Sequence, residues 1–197
     1  KSGFKWESTE PPRNTKTRKH NIIRGLPGLT RVSRNLGNKP TKSDIWNSLI
    51  DDEMLNEIVL RTNYKIFSMR EKLSESTNAS NYRSTDIVEL KALIGLFMLS
   101  SIIKSSHEDM LSLFSKDTLG RPIFRMTMSS KRFEILLSCL RFDNHLDREE
   151  RKKSDKTAAI SAIFNKFVSN SQKLFTLGDC VTVDEMLLPF RGHCGFR

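Results

Sequence analysis

Cysteine is scarce, and the scarcity excludes several chemistries. The three cysteines are Cys139, Cys180 and Cys194. Their number is odd, no CxxC occurs, and Cys180, His193 and Cys194 do not form a zinc-ligand spacing. The count argues against a disulfide framework, and a reducing compartment is the default. The cysteines read as small buried hydrophobes. Long apolar runs are missing as well. The longest, Ala92 to Leu99, ends at Ser100 and Ser101, far short of the roughly 20 residues that a membrane span needs. No apolar stretch follows Lys1, Ser2 and Gly3, so no secretory leader is visible. A first residue of Lys rather than Met points to a fragment. With 9 Gly and 6 Pro the chain is not collagenous. Its 197 residues, 37% hydrophobic and 28% charged, are enough for a core, which excludes a wholly disordered chain.

The charge is what stands out. The formal net charge is +10, and it is concentrated at one end. Residues 1–43 hold Lys1, Lys5, Arg13, Lys16, Arg18, Lys19, Arg24, Arg31, Arg34, Lys39 and Lys42 against only Glu7 and Glu10, a balance of +9. Residues 44–197 are almost neutral. Pro11, Pro12, Pro27 and Pro40 alternate with Gly25, Gly28 and Gly37 in the basic segment. Its apolar residues are few and aperiodic, so it reads as a disordered arm. Such an arm attracts polyanions through counterion release. A solvated tail or a nuclear import signal is the plainer alternative. The island Asn21 to Leu29 is too apolar for a pure tail and should dock on the folded part or order on binding.

From Thr41 the pattern turns helical. Thr41 with Asp44 resembles a capping box. Trp46, Leu49, Ile50, Leu55, Ile58 and Val59 then predict one amphipathic helix, with a slip near Asp52, ending near Asn63. Residues 71–84 read as a loop. Thr85 or Asp86 should cap a helix that is apolar nearly all round through Ile103, and hence central and buried. Ser105 with Glu108 should cap a short helix carrying Met110, Leu111, Leu113 and Phe114, followed by a turn at Leu119 to Pro122. Ser129 or Ser130 should start the helix of Phe133, Leu136, Leu137 and Leu140. Residues 143–156 mix both charges and read as a solvated loop. Phosphate contact by Arg148 to Lys156 is the other reading, which the interleaved acids oppose. A last helix is expected from about Thr157 to Leu177, stopped by Gly178.

Cys180 to Leu188 then reads as an inner strand bounded by Gly178 and Pro189. Alternation puts Asp184 between Thr182 and Met186, short of water. A buried carboxylate needs a partner. It could be a salt bridge to Arg191 or Arg197, or Asp184 could be a metal ligand or catalytic acid. Glu185 points the opposite way. Arg191 and His193, on a Gly-punctuated turn, could hold a phosphate backbone, and an ordinary hairpin turn would use the same residues.

Several ordered motifs resemble the piggyBac transposase family. The strongest is Thr182-Val183-Asp184-Glu185-Met186-Leu187-Leu188-Pro189-Phe190-Arg191-Gly192, followed by Phe196-Arg197. Thr62-Asn63, Glu89 to Leu96, Phe124-Arg125, Met128-Ser129, Arg132-Phe133-Glu134 and Leu140-Arg141-Phe142-Asp143-Asn144 agree in order, so the match covers roughly residues 44–197. His193 stands where the family usually has Arg or Lys, and Gly195 where Pro or Ser is common.

The resemblance implies a fold class that is mainly α. A helical dimerisation and DNA-binding region, residues 44–178, would lead into the first β-strand of an incomplete RNase H-like α/β catalytic domain, residues 179–197. It implies cut-and-paste DNA transposition in the full-length parent, through three Asp residues binding two Mg²⁺ ions. Asp184 takes the first place, and the other two lie beyond Arg197. The expected DNA contacts are Arg13, Lys16, Arg18, Lys19, Arg24, Arg31, Arg34, Arg191, His193 and Arg197. The expected partners are DNA and, in the parent, a second copy in a homodimer, with no membrane and no small-molecule cofactor. The expected compartment is the nucleus. A host DNA-binding protein descended from such a transposase, without catalysis, is the alternative. On either reading this chain alone should be inactive.

Overall fold

A computed structural model describes residues 27–73, 81–117, 120–178, 181–182 and 184. Helix starts follow the side chains able to accept from the first unbonded N–H groups of a helix. Thr41 opens α2, Lys42–Leu49, with a full capping box in which Thr41 N donates to Asp44 at 2.8 Å and Asp44 N to Thr41 at 3.2 Å. Asp86 opens α4, Ile87–Ile102, by accepting from Glu89 N at 2.8 Å. Ser129 opens α7, Ser130–Cys139, by accepting from Arg132 N at 3.2 Å. These three starts fall where the sequence places them.

The slip near Asp52 is a break rather than an irregularity within one helix. Ile50 leaves helical geometry, and Asp51 caps α3, Asp52–Lys72, by accepting from Met54 N at 2.9 Å. The helix does not end near Asn63. It continues because Ile66, fully buried, reaches the main core. Between α4 and α7 lie a 3-10 turn at Ser105–His107, α5 at Met110–Leu113 and α6 at Pro122–Thr127. The capping residue of α5 is Asp109, not Ser105. Periodicity does not reveal helix α6, because it is short and starts on the proline of the expected turn; proline is well suited to the first helical position. Gly120 in that turn is required sterically. A Cβ there would lie 1.9 Å from the Ser115 carbonyl oxygen.

The core lies mainly among α3, α4, α6 and α7. Ile66, Leu93, Leu96, Phe124, Leu136 and Cys139 are buried in it. Phe114 meets Phe124 at 5.5 Å and Phe133 at 5.3 Å between ring centroids, in edge-on or tilted geometry. Cys139 is free and buried, as expected; Cys180 and Cys194 lie outside the described residues. A second cluster, Leu55, Ile58 and Leu90, is covered by Trp46, Phe142 and Ile163. Helix α4 is less central than its composition suggests. It buries Leu90, Leu93 and Leu96 but leaves Val88 76% and Ile102 76% exposed, because its neighbours pack along one side.

A buried polar chain ties the loop before α4 to three helices. The Asn63 side chain brackets the backbone of Thr85, donating to its carbonyl at 2.9 Å and accepting from its N–H at 2.7 Å. Thr85 donates to Glu89 at 2.7 Å. Arg132, 6% exposed, donates to both Glu89 oxygens, at 2.8 and 2.6 Å, and to the carbonyls of Arg83 and Ser84.

Residues 143–156 are not simply a solvated loop. Asp143 is buried and gripped by Arg148 and Arg151, the latter at 2.7 Å, and Arg148–Arg151 forms α8. Interleaved charges of both signs look solvated in sequence, but here one acid satisfies two guanidinium groups. The last helix, α9, is Ser161–Leu174, shorter at both ends than predicted. Among the described residues no helix is long and apolar enough to cross a membrane.

Candidate nucleic-acid interface

The C-terminus of α9 leaves carbonyl groups without helical partners. They are met by the segment expected to be a disordered arm. Residues Gly28–Leu29 form β1, which pairs antiparallel with β2, Phe175–Thr176, placing Gly28 opposite Thr176 and Leu29 opposite Phe175. The pairing uses the positive φ of Gly28, +107°, which favours glycine. Thr30 then donates from its N–H to Leu174 O at 3.1 Å and from its hydroxyl to Lys173 O at 2.6 Å. The Ser33 hydroxyl donates to Leu174 O. Thr30 also caps α1, Arg31–Arg34, accepting from Ser33 N at 3.4 Å. Expected disorder therefore does not hold for residues 28–34. Their order comes from α9, whose orphan carbonyls are too distant in sequence for local patterns to reveal. The island Asn21 to Leu29 docks at its described end, Gly28–Leu29; its earlier part lies outside the described residues.

Helix α9 is itself seated by the break between α2 and α3. Asn170, buried, donates to Leu49 O at 3.1 Å and to Asp51 at 2.9 Å. Burial raises the Asp51 pKa, but the hydrogen bonds from Met54 and Asn170 and the charges of Lys166 and Lys173 hold it below its ordinary value.

This clasp presents Arg31 and Arg34, three residues apart and both exposed, at the negative end of the α9 dipole. Helix α1 has no acidic residue in its first turn. Neither arginine forms an ion pair with a described residue. Several cations of the helical body differ. Arg132 is paired to Glu89, Arg148 and Arg151 to Asp143, and Lys152 and Lys153 to Glu149 and Glu150. The cations from Arg148 to Lys153 are thus compensated locally, which removes that run as a strong anion site. Arg31, Arg34 and Lys39, all exposed, form a basic stretch with no acidic residue between them.

Asp184 is exposed, not buried. It, Val181 and Thr182 lie in no strand. A strand needs a neighbour for its backbone hydrogen bonds, and the sheet among the described residues is formed by β1 and β2. Of the other predicted site residues, Arg13, Lys16, Arg18, Lys19, Arg24, Arg191, His193 and Arg197 lie outside the described residues. The clasp residues Thr30, Ser33 and Asn170 were missed. Only Thr30 carried a signal, as an N-cap type immediately before a basic pair.

The sequence model of the family described as Transposase IS4 matches residues 41–197. The chain belongs to that transposase family. Its fold is similar to that of the piggyBac transposase in a cryo-EM structure of a synaptic complex with hairpin DNA, with a TM-score of 0.77 and 30% identity. The similarity covers 87% of this chain and 34% of that one, so this piggyBac-like chain spans about a third of the solved transposase. Family membership carries a general dependence on divalent metal. The residues described do not assemble such a site. No group of three His, Cys, Asp or Glu side chains among them could hold a metal ion, so no metal step is derived from them.

Proposed function

We propose that this chain supplies DNA binding to a cut-and-paste transposase, with the basic arm and α1 holding the phosphate backbone. The observation that carries this is the exposed, acid-free pair Arg31 and Arg34, fastened by β1 and β2 to the segment that leads to Asp184. DNA in the complex of the similar transposase supports the same reading. Arg13, Lys16, Arg18, Lys19 and Arg24 extend the contact, and Arg191, His193 and Arg197 would meet DNA beyond Asp184. The sites of action are the nucleus and a homodimer of the parent.

Asp184 is the proposed first ligand of two Mg²⁺ ions in an RNase H-like catalytic domain. One carboxylate cannot hold two hard cations, so this chain alone should bind DNA without cutting it.

The test is duplex binding as a function of salt. Each lost phosphate contact should lower the slope of log K against log salt by about 0.9, so Arg31→Ala/Arg34→Ala should flatten it by about 1.8. An unchanged slope would remove α1 from the interface. In the complete parent, Asp184→Ala should abolish Mg²⁺-dependent cleavage and spare binding; persistent cleavage would refute its role. A parent that binds DNA but never cleaves would be a host DNA-binding protein instead.

A further inference from the structure

Helix α4 is too apolar for the exposure it has. Lys91, Ile94, Gly95 and Met98 recur at the spacing of one helical face, and that face forms the floor of an open cleft of about 440 Å³ against Lys42 and Trp46 of α2. Met98 is 46% exposed, and Ile102, one turn further on, is barer still. Above Gly95 the space is open: a Cβ built there meets nothing within 4 Å. A partner backbone could approach closely at that point. The rim is cationic. Lys91 lies 5.9 Å from the Trp46 ring centroid and has only a 3.4 Å contact to Asp52. Lys42 has no ion pair with a described residue. Asp44, the nearby acid on α2, is engaged by Thr41. The Trp46 indole N–H is buried with no acceptor among the described residues.

We propose that this cleft docks a helix of a partner protein whose apolar stripe is flanked by carboxylates. Nucleic acid fits poorly, since the floor is apolar and the cleft has room for one or two anchoring side chains. The lysines supply orientation and partner choice, and the stripe Ile94, Gly95 and Met98 supplies the contact.

Titration calorimetry of the whole chain tests this, with a synthetic amphipathic helical peptide carrying a leucine stripe flanked by Glu, and its twin flanked by Lys. The Glu-flanked peptide should bind, and its twin about tenfold more weakly. Lys42→Glu/Lys91→Glu should reverse that order. Gly95→Leu should abolish binding while the helical circular dichroism and melting are kept, because leucine favours the helix and the space is open. Equal binding of the two peptides, no binding of either, or binding unaffected by Gly95→Leu would overturn the proposal. So would displacement of the peptide by duplex DNA, or a dimer in sedimentation that Gly95→Leu dissolves, which would assign the cleft to a second copy.

Discussion

The clasp between α1 and the end of α9 can be opened without disturbing the core. Thr30→Val with Ser33→Ala removes both hydroxyl donors to the Lys173 and Leu174 carbonyls, and with them the N-cap of α1. All of these groups are partly or fully exposed, so each bond should contribute toward the low end of about 0.5–1.5 kcal/mol. The cap adds about 1 kcal/mol, partly the same interaction. The combined loss should be about 1–3 kcal/mol. If the clasp opens locally, its protection from hydrogen exchange falls in proportion. Since 1.36 kcal/mol is a factor of ten, the amide of residue 30, which donates to Leu174 O at 3.1 Å, should exchange about 5–150 times faster. The amide of Leu90, which donates to Asp86 O inside the folded body, should be unchanged. Exchange mass spectrometry with electron-transfer fragmentation measures both. An unaltered rate at residue 30 would show that the β1–β2 pairing holds the arm without the hydroxyls. Equal acceleration at Leu90 would show that the clasp is part of the global fold.

Three further outcomes test the fold that carries this interface. Arg132→Met leaves the half-buried Glu89 without its main partner, at a cost of about 3–5 kcal/mol. At about 2–4 °C per kcal/mol the melting temperature should fall by about 6–20 °C, and a fall under about 2 °C would show the pair is dispensable. Gly120→Ala should destabilise by more than about 1 kcal/mol, since its Cβ would strike the Ser115 carbonyl; denaturant unfolding with an unchanged midpoint would refute the close approach. Acid should unfold the protein through Glu89 and Asp143. In each, burial raises the pKa but is outweighed, for Glu89 by hydrogen bonds from Arg132 and Thr85 and for Asp143 by those from Arg148 and Arg151. A lowered folded pKa gives stability that is complete above the unfolded value, about 4, and is lost as pH falls through the folded value. Thermal melts should therefore drop below about pH 4, and less steeply in Asp143→Asn; an identical acid profile in that variant would exclude Asp143.

Local chemistry was legible wherever neighbours in sequence are neighbours in space. Thr41 with Asp44, Asp86 and Ser129 each open the helix that their side chains suggested, because an N-cap reaches only two or three residues forward. The apolar spacing of Phe133 and Leu136 likewise set the buried face of α7, and the concentration of positive charge before residue 44 includes the arginines of α1. The motifs from Glu89 to Asn144 and at Asp184 carried the family, which the match over residues 41–197 bears out.

What stayed hidden depends on groups far apart in the chain. The pairing of Arg132 with Glu89, 43 residues away, has no local signature, and Asp143 looked solvated until two arginines closed on it. The apolar length of α4 promised burial on every side, but burial is decided by neighbours, and those described cover only one. Residues 28–34 have the composition of a disordered tail. They are ordered because the end of α9 offers carbonyl groups that only their backbone and hydroxyls can reach. Amino-acid order alone thus settled the starts of α2, α4 and α7, the charge distribution and the family, which are local or additive properties. Which cations remain unpaired to face a polyanion was settled by tertiary structure, because pairing requires a distance that no linear pattern specifies.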